Sequence, residues 1–209
     1  MVEMLRRNYQ WALLGCVVVG LVWSGIAPHD RFTWLLEVCW VLAAIPIVVF
    51  TRNRFPLTNL LATLLSLHGL VLIIGGYYTY ERVPLGEWWK VWFGWHRNHY
   101  DRLGHLVQGI VPAILSREVL LRRSPLRDGK WLFFLVTCIC LAFSAFFEML
   151  EWWASLAAGS KADAFLGTQG DPWDTQEDML CALVGAVTSQ VVLRHWHRKQ
   201  LSRLGVSAL

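Results

Sequence analysis

The chain is poor in charge. Asp, Glu, Lys and Arg make up 16% of its 209 residues, where a soluble domain carries about a quarter. That shortage excludes an ordinary soluble enzyme or a solvated binding module. Five cysteines are present, Cys16, Cys39, Cys138, Cys140 and Cys181, but none forms a CxxC pair. Cys138 and Cys140 lie two apart and so point to different helix faces. Redox-motif and cysteine-ligand chemistry are thereby set aside, and small polarisable packing residues are the plain reading. HExxH is missing as well, and the chain carries no internal repeat.

What the sequence has instead is apolar length. Hydrophobic residues make up 56% of the chain. Runs at about 9–27, 32–50, 57–79, 101–121, 131–155 and 175–194 each approach the ~20 residues that cross a hydrocarbon core. The pattern predicts an all-α fold: a polytopic transmembrane bundle of six helices, forming one integral-membrane domain over 1–209. The first run follows Arg6 and Arg7 and ends near the small residues Gly25 and Ala27. It is longer than a secretion-signal core and precedes five more spans, so it reads as a signal anchor.

Loop charge gives an orientation, because cytoplasmic loops are rich in Lys and Arg. With the N-terminus inside, the inner side takes Arg6, Arg7, Arg52, Arg54, Arg117, Arg122, Arg123, Arg127, Lys130, Arg194, Arg198, Lys199 and Arg203. The outer side takes only Arg31, Arg82, Lys90, Arg97, Arg102 and Lys161. Both termini are therefore expected in the cytoplasm. The pI near 8.9 reflects this orientation and gives no reason to expect nucleic acid as a partner. Trp88, Trp89, Trp92, Trp95, Trp152, Trp153 and Trp173 gather on the outer side, as an interfacial aromatic belt does.

Two outer loops carry the detail. Residues 81–100, ERVPLGEWWKVWFGWHRNHY, are aromatic and amphipathic, which suits a segment lying in the interface plane. Residues 156–174 are rich in Gly and Asp, with turns expected at Gly170-Asp171-Pro172. Asp174 then stands where an N-cap belongs, with Glu177 three residues on, as in a capping box. The inner loops are short and basic and show no chemistry of their own. In the last span, Ala182 with Ala186 and Gly185 with Ser189 are spaced for close helix approach. Pro112 should kink the fourth span, because it cannot donate to the carbonyl of Gln108.

Ionisable residues inside or at the edge of the spans form a layer. They are Glu37, His68, His99, Asp101, Arg102, His105, Glu148, Glu151, Asp174, Glu177 and Asp178, with Gln108 beside them. Under the expected topology all but His68 fall near the outer face. Asp101, His105 and Gln108 share one helix face, Glu148 and Glu151 are i,i+3, and Asp174 and Asp178 are i,i+4. Three helices thus aim a pair each at one cavity. A charge at the bilayer centre costs roughly 2.5–3.5 kcal/mol on insertion scales, so such residues usually face the bundle interior and serve a function. Interhelical hydrogen bonds and helix caps are the plainer alternative. Glu37 reads either as a site member or as a partner for Arg102 or Arg31, and His68 as a hydrogen-bonded core histidine.

NHYDRLGHLVQGIVPA, FEMLEWW and ADAFLGTQGDPWDTQEDM resemble the signature segments of the YjdF family of bacterial inner-membrane proteins, across essentially the whole chain. The resemblance implies a multi-pass protein of the bacterial inner membrane and assigns no reaction. The pattern of polar residues in the membrane is also broadly similar to that of VanZ-like membrane proteins, some of which have been proposed to act on lipids or glycolipids.

Three function classes follow. The first is an enzyme acting on an outer-leaflet lipid or lipid-linked substrate. Here His105 is base or nucleophile, oriented by Asp101, and Glu148 or Glu151 is the acid, with Asp178 completing the catalytic set. Arg102, Gln108, Gln169, Asp171, Trp173 and Asp174 bind substrate in this reading, with Arg102 on a phosphate. The second class is a divalent-metal site at His105, Glu148, Glu151 and Asp178, a ligand set that suits Zn, Mn or Mg. The third is a transporter, which ranks last because no matching polar set is visible on the cytoplasmic half. A purely structural membrane protein would account for the caps but not for the convergence.

Overall fold

In the computed structural model, which describes residues 2–159 and 163–206, no strand is present among the described residues. Lys161, counted above on the outer side, lies outside them. The long helices are α1 (Val2–Ile26), α2 (Arg31–Thr51), α3 (Asn59–Tyr78), α5 (Tyr100–Arg123), α6 (Lys130–Ala158) and α8 (Asp174–Val192). A 3-10 turn (Tyr80–Arg82) and α4 (Pro84–Phe93) join α3 to α5. The short α7 (Asp163–Leu166) precedes α8, and α9 (Arg194–Arg203) follows it.

Local signals start and stop these elements. The side chain of Asp30 accepts from the Thr33 N–H at 2.7 Å and opens α2. Thr58 does the same for α3, accepting from Leu61. Pro84 stands in the first turn of α4, and Gly94 ends that helix in the left-handed region at φ 67°, the positions each residue favours. Asp174 departs from its expected part. Trp173 occupies the N-cap without a side-chain bond, and the carboxylates of Asp174 and Glu177 turn towards arginine instead.

Four helices, α1, α2, α3 and α6, are long and apolar enough to cross a membrane. The expected sixth span is interrupted after Val192, where the axis bends by 60° into α9, and this pair makes a fifth span if counted as one. α5 has the length of a span at 24 residues but is polar at both ends. Its position explains how the fold accommodates that. It packs against α3, α6 and α8, so its Asp101, His105, Gln108, Arg117 and Glu118 are all buried. Pro112 sits within this continuous helix.

The α5–α8 contact is backbone on backbone. A methyl group on Gly109 would collide with the carbonyl of Ala182, and one on Gly185 would collide with the carbonyl of Leu106. Small residues at this seam do what their spacing in α8 suggested, and Ala182, Gly185, Ala186 and Ser189 are all buried. Dispersion from close packing drives such association in lipid, where no hydrophobic effect separates helix from tail. Gly185→Val is expected to cost about 3 kcal/mol or more, since overpacking alone costs ~1–3 and here the obstacle is main chain. Gly15→Val, where nothing lies within 4 Å, is expected to leave the thermal midpoint in detergent almost unchanged.

Candidate functional site

The α5–α8 seam sets the first two walls of a polar site and α6 supplies the third. From α5 come Asp101 and His105, one turn apart. Glu148 and Glu151 come from α6, and Asp174 and Asp178 from α8. All six are at most 9% exposed. Nε2 of His105 lies 3.5 Å from Oε1 of Glu148 and 3.7 Å from Oδ1 of Asp101. Neither separation is short enough for a good N–H···O hydrogen bond, which spans about 2.7–3.2 Å. Nδ1 of His105, Oε1 of Glu148 and Nε2 of Gln108 are buried with no partner. Glu37 and Glu151 line a small cavity with Tyr80, Asp101, His105 and Gln108. Glu37 thus faces the pocket, while Arg31 bonds the Ile26 carbonyl.

Above this pocket lies an arginine-clasped rim. The Arg102 guanidinium bonds Asp178 at 2.8 Å and Asp171 at 3.0 Å. It also pairs with Asp174 at 3.1 Å and Glu177 at 2.8 Å. Arg97 pairs with Asp174 at 2.6 Å and Asp171 at 3.0 Å. Gln169, whose φ is 48°, closes a two-bond ring on the backbone of Asn98. It accepts from the Asn98 N–H and donates to the Asn98 carbonyl, both at 2.9 Å. The two loops singled out in the sequence are thereby stapled together over the start of α5. Phe165 of α7 packs 6.3 Å from Phe147, itself 5.8 Å from the His105 ring, and covers the pocket. Trp173 points outward, 64% exposed.

Asp171 lies in the loop ahead of α8. Its carboxyl is held below the usual carboxylate range, first by the Trp173 backbone N–H, against partial desolvation, and then by Arg97 and Arg102 beside it.

Below the pocket is an apolar cavity of about 270 Å³ between α1, α2, α3 and α5, with Phe143 of α6 at its edge. Leu72 lines both spaces, and Phe147 stands between Trp40 and His105. His68, expected in a hydrogen-bonded core position, lines this cavity.

At the other end of α5 the structure corrects the expectation of short basic loops without chemistry. Glu118 is wholly buried. It accepts from the Thr58 N–H and hydroxyl, from Arg122 at 2.7 Å, and lies 3.1 Å from Nε2 of the equally buried His197. Beside it, Arg117 and Arg194 share Asp128. A second buried polar cluster is therefore present at the far end of α5, on the half where none was expected. The only sequence signal was Arg117-Glu118 inside an apolar helix, and it was obscured because Arg117 was counted as a loop charge.

This geometry can be set against known proteins. The profile of the family described as "Predicted membrane protein (DUF2238)" matches residues 9–199. The chain belongs to the DUF2238 family. Among its relatives is the "Inner membrane protein YjdF" of Escherichia coli (strain K12), 50% identical over 186 residues and covering 89% of each chain. The DUF2238 membership bears out the resemblance read from the three sequence segments. No solved structure matches this DUF2238 chain.

Two outcomes follow from this arrangement. Glu118→Ala strands Thr58, Arg122 and His197 and is expected to cost about 3–5 kcal/mol, the range for breaking a buried ion pair, read as a fall in thermal midpoint. Asp171 has a folded pKa below its unfolded value of about 3.9. Its contribution is present above that value and is lost as pH falls through the folded one. The thermal midpoint of the wild type should therefore drop below about pH 4 more steeply than that of Asp171→Asn.

Proposed function

We propose that the chain is a six-span enzyme of the bacterial inner membrane, with both termini in the cytoplasm. Its carboxylate–histidine pocket opens to the periplasm and acts on a lipid or lipid-linked substrate. The observation that carries this reading is His105, buried between Glu148 and Asp101 with neither ring nitrogen committed to a hydrogen bond. A histidine kept for packing would be expected to have its polar atoms satisfied. In this role His105 serves as general base or nucleophile and Asp101 orients it. Glu148, with Glu151 close by, returns the proton, since neighbouring carboxylates divide acid and base roles between them.

A lipid substrate is supported by the adjoining apolar cavity. Its volume, about 270 Å³, approaches the ~300–1,000 Å³ of ligand pockets, and its surface is almost wholly hydrocarbon. A chain lying there would bring its polar end past Leu72 and Phe147 to His105. Asp171, Asp174 and Arg102 form the rim that the head group meets, and Trp173 lies exposed beside it.

Transport is the second reading, favoured by the buried Glu118–His197 cluster at the far end of α5. The cavity between the two polar ends offers only Gln10, Ser66 and His68 as polar lining, a poor path for an ion.

The test is incubation of the protein in nanodiscs with total bacterial lipid extract, followed by mass spectrometry. A lipid species should be consumed by the wild type and spared by His105→Ala and Glu148→Gln, both retaining the wild-type elution profile and thermal midpoint. Unchanged lipids throughout, or variants that lose the fold together with the activity, would sink the enzyme reading.

A further inference from the structure

The pocket holds carboxyl groups without cationic partners. Arg97 and Arg102 are spent on Asp171, Asp174, Glu177 and Asp178. No arginine or lysine reaches Asp101 or Glu148, as far as the ion pairs of the described residues go, and His105 faces both. Among the described residues, Asp101, His105 and Asp178 each offer one ligand atom, and these atoms lie within 4.8 Å of one another.

Two distances bear on what holds this set together. Ligands bound at about 2.1 Å to one tetrahedral ion stand roughly 3.4 Å apart. The separations of 3.5 and 3.7 Å from Nε2 of His105 to the carboxylates of Glu148 and Asp101 fit co-ligands better than hydrogen-bonded partners. The independent sign is the unpartnered state of the site. Glu148 is 8% exposed, yet its Oε1, the atom facing Nε2 of His105, has no bond. Arg102 engages Asp178 through Oδ1, which leaves its other oxygen for the centre.

We propose that Asp101, His105 and Asp178, with Glu148 added from 3.5 Å beside Nε2 of His105, bind one divalent cation, Zn²⁺ or Mn²⁺, at the junction of α5, α6 and α8. One imidazole with three carboxylates is a borderline-hard set suited to those ions. Relative to the sequence-based ligand set, Asp101 enters and Glu151 leaves, because the ligand atoms that converge are those of Asp101, His105 and Asp178. The assignment rests on the same pocket as the enzyme reading and deepens it, replacing the base, orienting and acid roles of His105, Asp101 and Glu148 by those of ligands. A bound cation would give a phosphorylated head group a counter-charge among these carboxyl groups and would polarise a phosphoryl or acyl oxygen.

The experiment uses full-length, tag-free protein in detergent, stripped with chelator and reloaded separately with Zn²⁺, Mn²⁺ and Mg²⁺. Bound metal is measured by elemental mass spectrometry and stabilisation by the thermal midpoint. Expected are about one ion per chain in the wild type, weakened at least ~10-fold in His105→Ala and Asp178→Asn, and retention in Glu177→Gln, whose carboxylate meets only the rim. Should a variant fail to fold, the electron-spin spectrum of Mn²⁺ in the wild type reports whether the ion is immobilised by protein ligands. Failure of the wild type to bind any of the three, or binding that both variants leave intact, would overturn the site. Metal bound without lipid turnover would remove only the enzyme reading, whereas turnover in fully stripped protein would remove only the metal.

Discussion

The approach of α5 to α8 at Gly109 and Gly185 is the contact on which the rest depends. It brings two main chains to van der Waals distance, with no side chain as spacer. At that separation Asp178 falls within reach of both Arg102 and the centre of the pocket. A wider seam would leave Asp178 facing lipid or a void, and Arg102 without its buried partner. The polar chemistry of the site therefore hangs on two residues that carry no chemistry themselves.

The second constraint is electrostatic. Removing several carboxylates from water is tolerable only where each has a partner. At the rim, Arg97 and Arg102 fulfil that requirement with close pairs. At the far end of α5, Glu118 meets Thr58, Arg122 and His197 through both carboxylate oxygens. The central carboxyls, Glu37, Asp101, Glu148 and Glu151, are the exception: among the described residues no arginine or lysine pairs with them, and Oε2 of Glu37 and Oε1 of Glu148 have no bond. In natural proteins an unsatisfied group of this kind calls for an explanation, and function is the one most often found inside membranes.

Much of this was legible in the residues. The apolar runs located the long helices to within a few residues, except that α1 begins at Val2 and not near residue 9, and the i,i+3 and i,i+4 spacings of Asp101, His105, Glu148, Glu151, Asp174 and Asp178 placed the carboxylates on inward faces. The small residues of α8 foretold its seam. What escaped depended on three-dimensional partners. Asp174 has the local grammar of a cap, but Arg97, 77 residues earlier in the chain, claims its carboxylate. Glu118 and His197 are 79 residues apart, and nothing near either in sequence announces the other. The break after Val192 is equally silent, since Leu193 and Arg194 are ordinary helix formers. Span count suffers for the same reason: α5 earns its place by being surrounded, which hydropathy along a single chain cannot register.

The double tie between the 81–100 and 163–174 segments has a kinetic consequence. Arg97 grips Asp171 and Asp174, while Gln169 holds the backbone next door at Asn98. Parting the two segments therefore means breaking ion pairs at a partly hydrated surface. Such pairs weaken as salt shortens the Debye length, to about 8 Å near 0.15 M, whereas the groups deep beneath them are screened far less. Ionic strength thus acts on the tie between the two segments far more than on the buried groups beneath it.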